Sequence, residues 1–219
     1  MSTITESESL FRISHEIKNT LAVVKGYVSL FDGSVEKYNK YMPFVKDNLN
    51  HSIALLEDFS NIGKLKIELD IMDINCLLDD VVNNYRNILS TSGIEIKYQQ
   101  NKDEIYVNGD YKRLKELFIN IIKNAKEALT GVKKPYISIK TKIVNDKVII
   151  SFKDNGCGIE EKDLLKVGEP FFTTKKDGTG LGVYLSKEII NAHNGKMIYE
   201  STPNNGTIVY VELDLLNLF

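Results

Sequence analysis

The sequence predicts an α+β protein: an N-terminal antiparallel helical hairpin followed by a two-layer α/β sandwich built on a mixed sheet. Two observations carry this reading. Two long apolar stripes of helical period lie before residue 64, and alternating helix and strand patterns replace them after it. With 219 residues the chain has room for one medium or two small domains, and 42% hydrophobic content is normal for a protein that buries a core. The change of pattern places the boundary between residues 1–66 and 67–219.

The first stripe starts near Leu10, with Ile13, Ile17, Leu21, Val24, Val28 and Phe31 recurring every three or four residues, and stops near Asp32-Gly33-Ser34. Val45, Leu49, Ile53, Leu56, Phe59 and Ile62 form a second stripe, expected to follow Pro43 and to end at Gly63. Two helices alone cannot enclose a core, so pairing of two hairpins into the four-helix bundle of a homodimer is expected. Beyond residue 69 a helix is predicted over 74–89, strands over 94–99 and 105–107, and a long helix from Asp110 through Leu129. Strands over 136–143 and 148–152 follow, then a glycine-rich stretch from Asp154 to Gly182. A helix over 181–192 and strands over 196–201 and 207–213 complete the domain, the last two joined by the Pro203-Asn204-Asn205-Gly206 turn.

A net charge of −2 gives no overall basic field, so no nucleic-acid partner is expected. No apolar run approaches the roughly 20 residues needed to span a bilayer, and MSTITESESLF lacks the basic and then apolar start of a signal peptide. The chain is therefore expected to be cytoplasmic, without membrane contact. Cys76 and Cys157 lie far apart and without metal-ligand spacing, which points to packing or loop roles.

His15 carries the first chemical signal. On a helix it lies about 200° around the axis from Ile13, away from the apolar stripe. An exposed imidazole can act as a nucleophile through one ring nitrogen if the other gives its proton to a carboxylate, and adjacent Glu16 supplies one. Asp154-Asn155-Gly156-Cys157-Gly158 follows a strand directly, and Gly178-Thr179-Gly180-Leu181-Gly182 ends where a helix starts. Glycines allow close backbone approach, and helix N-terminal amides favour phosphate, so both loops suit a nucleotide. The carboxylate of Asp154 can accept the amino group of adenine. Between the loops, Glu169 to Lys175 has the length and glycine flanks of an active-site lid. Asn120 and Asn124 share one helix face, where an amide oxygen of Asn124 suits Mg²⁺ and Lys123 can meet a phosphate.

Together these residues resemble the transmitter core of bacterial sensor histidine kinases over roughly residues 8–214. Ser14-His15-Glu16-Ile17-Lys18-Asn19-Thr20-Leu21 resembles the phosphoacceptor box, Asn120-Ile121-Ile122-Lys123-Asn124-Ala125 the asparagine box, and Asp154 to Gly158 the first glycine box. Glu169-Pro170-Phe171-Phe172-Thr173-Thr174-Lys175 is similar to the phenylalanine box of sporulation and nitrogen-regulation kinases, and Gly178 to Gly182 to the second glycine box. The resemblance implies a dimerisation and phosphotransfer hairpin joined to the ATP-binding fold of gyrase, Hsp90 and MutL. It further implies ATP and Mg²⁺ as cofactors, His15 as the autophosphorylated residue and the receiver domain of a response regulator as recipient. Asn19 then sits where the family holds a water to dephosphorylate that regulator. Lys123 or Lys175 is expected to steady charge on the moving group.

Thr20 stands where the family usually has proline, which puts bending of this helix in doubt. No sensing domain precedes Leu10, so the signal is expected from a segment outside this sequence or from a separate sensor or regulatory protein. His51 reads as a surface or bundle-edge residue. His193 reads as a partly charged imidazole at a helix end, capped by Asn194-Gly195.

Overall fold

A computed structural model describes residues 6–62, 65–99, 103–175 and 178–216. The chain divides into two compact units, one of residues 1–64 with 169–182 and the other of residues 65–168 with 183–219.

In the first unit α1 (Glu6–Ser29) and α2 (Val35–Ile62) form the expected hairpin. Helix α1 runs unbroken through Thr20, which is buried. Helix α2 starts eight residues before Pro43, whereas the sequence pattern placed its start after that proline. The early start has a local cause. Ser34 Oγ accepts the Lys37 N–H at 3.3 Å as an N-cap, and Asp32 both accepts the Ser34 N–H at 3.1 Å and pairs with Lys37 at 2.9 Å. Tyr27 packs on Tyr41 and Phe44 with centroids 5.7 and 5.3 Å apart, and Phe31 on Tyr38 at 6.2 Å. These contacts hold the first turns of α2 against α1 and offset the helical donor that Pro43 withholds from Asn39. Residues 30–34 therefore make the whole connection. Val45 is buried, whereas Leu21, Val28, Phe31, Leu49, Ile53 and Leu56 are exposed on this hairpin.

The second unit is built on a five-stranded mixed sheet of order β2-β4-β5-β7-β6, with a two-stranded antiparallel ribbon β1-β3. The strands are β1 (Asp70–Asp73), β2 (Glu95–Tyr98), β3 (Tyr106–Gly109), β4 (Tyr136–Val144), β5 (Lys147–Asp154), β6 (Lys196–Ser201) and β7 (Thr207–Asp214). Only β2 runs parallel to its neighbour, pairing Ile96 with Ile137; the other pairs are antiparallel. Helices α3 (Ile74–Thr91), α4 (Tyr111–Ala128), α5 (Glu161–Leu164) and α6 (Gly182–Ala192) complete the chain. The sheet alternates as a half-buried sheet must, with Ile137 and Ile139 of β4, Val148, Ile150 and Phe152 of β5 and Val209, Val211 and Leu213 of β7 all on its buried face. Leu114, Leu117, Phe118, Ile121 and Ile122 of α4 are buried, and the Phe118 ring lies 5.3 Å from that of Phe152. The α+β class and the mixed sheet are as the sequence predicts. Strand β1 and the four-residue α5 were not foreseen.

Replacing Phe118 by alanine is expected to lower stability by about 3–5 kcal/mol, because the cavity opens where α4 meets the sheet. Urea denaturation measures it, and a loss below about 1 kcal/mol would place Phe118 outside the core.

Candidate functional site

Helix α4 presents the asparagine pair. Asp110 caps its N-terminus by accepting the Arg113 N–H at 3.1 Å, and Leu129 closes the other end. Asn120 is half-buried and its amide donates to Ser186 Oγ on α6 at 2.8 Å, which leaves its carbonyl oxygen as the end available to a ligand. Asn124 is half-buried one turn later, and Lys123 beside it is exposed.

Asp154 ends β5 and is 5% exposed. Its Oδ1 accepts the Gly156 N–H at 2.7 Å and the Thr207 N–H at 3.3 Å. Among the described residues Oδ2 accepts no hydrogen bond from the protein. Burial pushes the carboxyl group above its ordinary range, opposed by the two backbone donors. A carboxylate so held is fixed in orientation and has one oxygen to offer.

Sequence reasoning assigned the glycines of this loop to close approach of a ligand. In the structure the missing side chains let protein backbone close in. A Cβ on Gly156 would stand 2.7 Å from the Ala128 carbonyl oxygen at the end of α4, and one on Gly158, at φ +69°, would collide with the Thr202 carbonyl. The Cys157 N–H donates to Ala128 at 3.0 Å, and the Cys157 carbonyl accepts from Asn204 at 2.7 Å. The loop is thereby clamped between α4 and the β6–β7 turn. Asn155 faces the other way, accepting the Tyr136 N–H at 2.8 Å and donating to Lys134 at 3.2 Å.

The remaining predicted residues fall in the first unit. Within the 169–182 segment the Phe171 N–H donates to Gly180 at 3.0 Å, and Phe171 itself holds φ +66°, a conformation rare for a bulky residue. Thr173 Oγ1 accepts the Lys175 N–H at 3.1 Å, and Thr179 Oγ1 accepts the Leu181 N–H at 3.2 Å. Thr174 and Lys175 are exposed and Gly178 half-buried, whereas the Leu181 side chain is fully buried, so only its backbone can face a ligand. Gly182 begins α6. On α1 His15 is exposed, with Nδ1 3.1 Å from Asn19 Nδ2. The partner seen on Nδ1 is thus the carboxamide one turn on; the side chain of Glu16, expected there, lies outside the described residues, as does that of His51.

His193 was missed as a structural hub. Instead of a charge at a helix end it is buried, with Nδ1 2.7 Å from the Ile189 carbonyl and Nε2 accepting the Asp110 N–H at 2.8 Å. Those partners require a neutral ring carrying its proton on Nδ1. Asn194, at φ +56°, and Gly195 make the expected cap, and the Gly195 N–H returns to Ile190 at 2.9 Å.

The sequence pattern of histidine kinase-, DNA gyrase B-, and HSP90-like ATPases matches residues 109–217, which hold α4, both glycine loops and Asp154. The catalytic domain of the histidine kinase ThkA is 30% identical, with a TM-score of 0.61, and the match covers 67% of this chain and 95% of that one. The chain belongs to this ATPase family. Within it the chain is a histidine-kinase domain related to sporulation and two-component sensor kinases: sporulation kinase E of Bacillus subtilis is 32% identical over 203 residues, 92% of this chain and 27% of that protein. ThkA in complex with the response regulator TrrA superimposes with a TM-score of 0.76 at 24% identity, covering 95% of this chain and 61% of that one, a likeness of fold. The chain spans from about a quarter to half the length of the sporulation kinases it matches. Among the described residues no helix is long and apolar enough to cross a membrane.

Because folding raises the Asp154 pKa above its unfolded value, the ionised group opposes folding at neutral pH, and that cost fades as pH falls through the folded pKa toward the unfolded one. Asp154→Asn keeps an acceptor for Gly156 and Thr207 without the charge. The variant is expected to melt no lower than the wild type at pH 7, with the difference shrinking toward pH 4. Calorimetry across that range tests it, and a variant clearly less stable at pH 7 would refute the account of Asp154.

Proposed function

We propose that this chain is the catalytic core of an ATP-dependent histidine kinase that phosphorylates His15 and passes the phosphoryl group to an aspartate of a response regulator. The observation that carries the reading is Asp154, a buried carboxylate with one oxygen clamped by backbone N–H groups and the other without a protein partner among the described residues. A carboxylate oxygen accepts from an exocyclic amino group and not from a carbonyl, so adenine is selected over guanine. ATP supplies the phosphoryl group, and Mg²⁺ neutralises its phosphates when bound. Among the described residues there is no cluster of three acidic, histidine or cysteine side chains, which suits an ion held chiefly by phosphates with the amide oxygen of Asn124. Asn120 is oriented by Ser186, Lys123 or Lys175 steadies charge on the phosphates, and Phe171, Thr174, Gly178, Thr179 and Gly180 of the 169–182 segment are assigned to nucleotide binding.

On the hairpin, an imidazole that donates from Nδ1 leaves Nε2 as the nucleophile. Either the Asn19 carbonyl, with its amide turned, or the Glu16 carboxylate can accept that proton. Asn19 also stands where it can hold a water for dephosphorylating the regulator. The exposed Leu21, Val28, Leu49, Ile53 and Leu56 support a homodimer in which two hairpins form a four-helix bundle. The related ThkA, solved with a response regulator, supports a receiver domain as recipient. The hairpin and the ATP-binding part are assigned to residues 1–66 and 67–219.

Asp154→Asn is expected to weaken ATP binding by about 1–3 kcal/mol, and GTP to bind the unmutated chain poorly. Calorimetric titration reads both, and equal affinity for ATP and GTP would count against the assignment of Asp154. His15→Gln is expected to bind Mg-ATP as wild type yet never take label from ATP. Asn124→Asp is expected to fail for the opposite reason, keeping its acceptor but setting an added charge beside the phosphates. In mixed dimers, acid-labile and alkali-stable label on the Asn124→Asp chain identifies transfer between subunits, and none, with exchange verified, transfer within one. Label on the His15→Gln chain would overturn the acceptor assignment.

A further inference from the structure

The base of the 169–182 segment carries a contact that the nucleotide site does not use. Lys187, on the second turn of α6, donates from Nζ to the Val167 carbonyl oxygen at 2.5 Å. Its outer methylenes and amine fill the space in front of Gly168, which holds φ +84° as the last residue before the segment begins. A Cβ on Gly168 would overlap Cδ, Cε and Nζ of that lysine. Gly182, where the segment ends, is the first residue of α6. One helix therefore receives both stems, the outgoing one through the chain and the incoming one through Lys187. Inside the segment the hydrogen bond from Phe171 to Gly180 closes a second rung. A cation on a backbone carbonyl makes a stronger bond than a neutral donor, and it is spent here on a loop stem.

We propose that Lys187 is a positioning residue that anchors the incoming stem of the lid to α6, so that the segment moves on a fixed base. This rests on the reading of 169–182 as a lid over bound nucleotide. An unanchored stem widens the range of open conformations that nucleotide binding must restrict, so the loss is felt in affinity more than in the transfer step.

The test uses the full chain, with Lys187→Met keeping the methylenes and removing the donor. In nucleotide-free protein, trypsin cleavage within 169–182, mapped by mass, is expected to be about tenfold faster than in wild type, because cleavage follows the population of the opened segment. The KM for ATP is expected to rise about fivefold with kcat within about twofold and an unchanged melting temperature. Lys187→Arg, whose guanidinium reaches the same carbonyl, is expected to restore the wild-type cleavage rate. Lys187→Gln, neutral and too short to reach the same carbonyl, is expected to raise cleavage as Lys187→Met does, which keeps the test decisive if the methionine variant folds poorly. Cleavage at the wild-type rate in both would overturn the anchor. Absence of ATP binding in wild type would defeat the kinase reading while leaving the cleavage contrast to judge the anchor by itself.

Discussion

Helix α4 is hydrogen-bonded at both ends to segments far away in sequence, and the geometry of the second unit depends on that restraint. At its N-terminus the Asp110 N–H goes to His193 at the end of α6, while the Asp110 carboxylate accepts from Arg113 and, at 3.0 Å, from the Glu68 N–H. At its C-terminus the Ala128 carbonyl accepts from Cys157. Between them Asn120 donates to Ser186. Helix ends normally leave donors and acceptors to water; here remote backbone and side chains take them, so α4 can neither rotate nor slide without breaking these bonds. The two asparagines and the Asp154 loop inherit their relative placement from that fixity.

Much of this was legible in the sequence, for identifiable reasons. The long helices and most strands announce themselves by period, and Asp110 marks the start of α4 by capping chemistry. Pro43 is a strong local signal, whereas the contacts of Tyr27 with Tyr41 and Phe44 that override it join residues on two different helices. Strand β1 has only four residues and draws its stability from pairing with β3, a partner no local pattern reveals. His193 was misread for the same reason: its partner Asp110 lies 83 residues away. The glycine loops were recognised by composition, but composition could not say that Gly156 and Gly158 make room for Ala128 and Thr202. A glycine needed for close approach looks the same whether the approaching group is a ligand or the protein's own backbone.

The ATPase fold alone does not choose a phosphoryl acceptor, since one fold hosts many functions. Beside it stands the hairpin, a unit of different construction. The α/β unit buries most of its large aliphatic side chains beneath helices and sheet, whereas the hairpin leaves Leu21, Val28, Leu49, Ile53 and Leu56 exposed alongside an exposed histidine. The proposed phosphotransfer thus draws on two units whose surfaces differ in kind.

Strand β5 pairs with β7, joining Phe152 to Val209, so the Asp154 loop, α5, the 169–182 segment and α6 lie on an excursion between two adjacent strands of one sheet, from which β6 returns to pair with β7. The entropy lost on closing such an excursion grows only with the logarithm of its length, so doubling it costs about 0.6 kcal/mol. Residues can therefore be added to or removed from the middle of this span with little effect on the sheet. The 169–182 segment can diverge in length and composition while β5 and β7 keep their register, which separates the pace at which it varies from the pace at which the scaffold does.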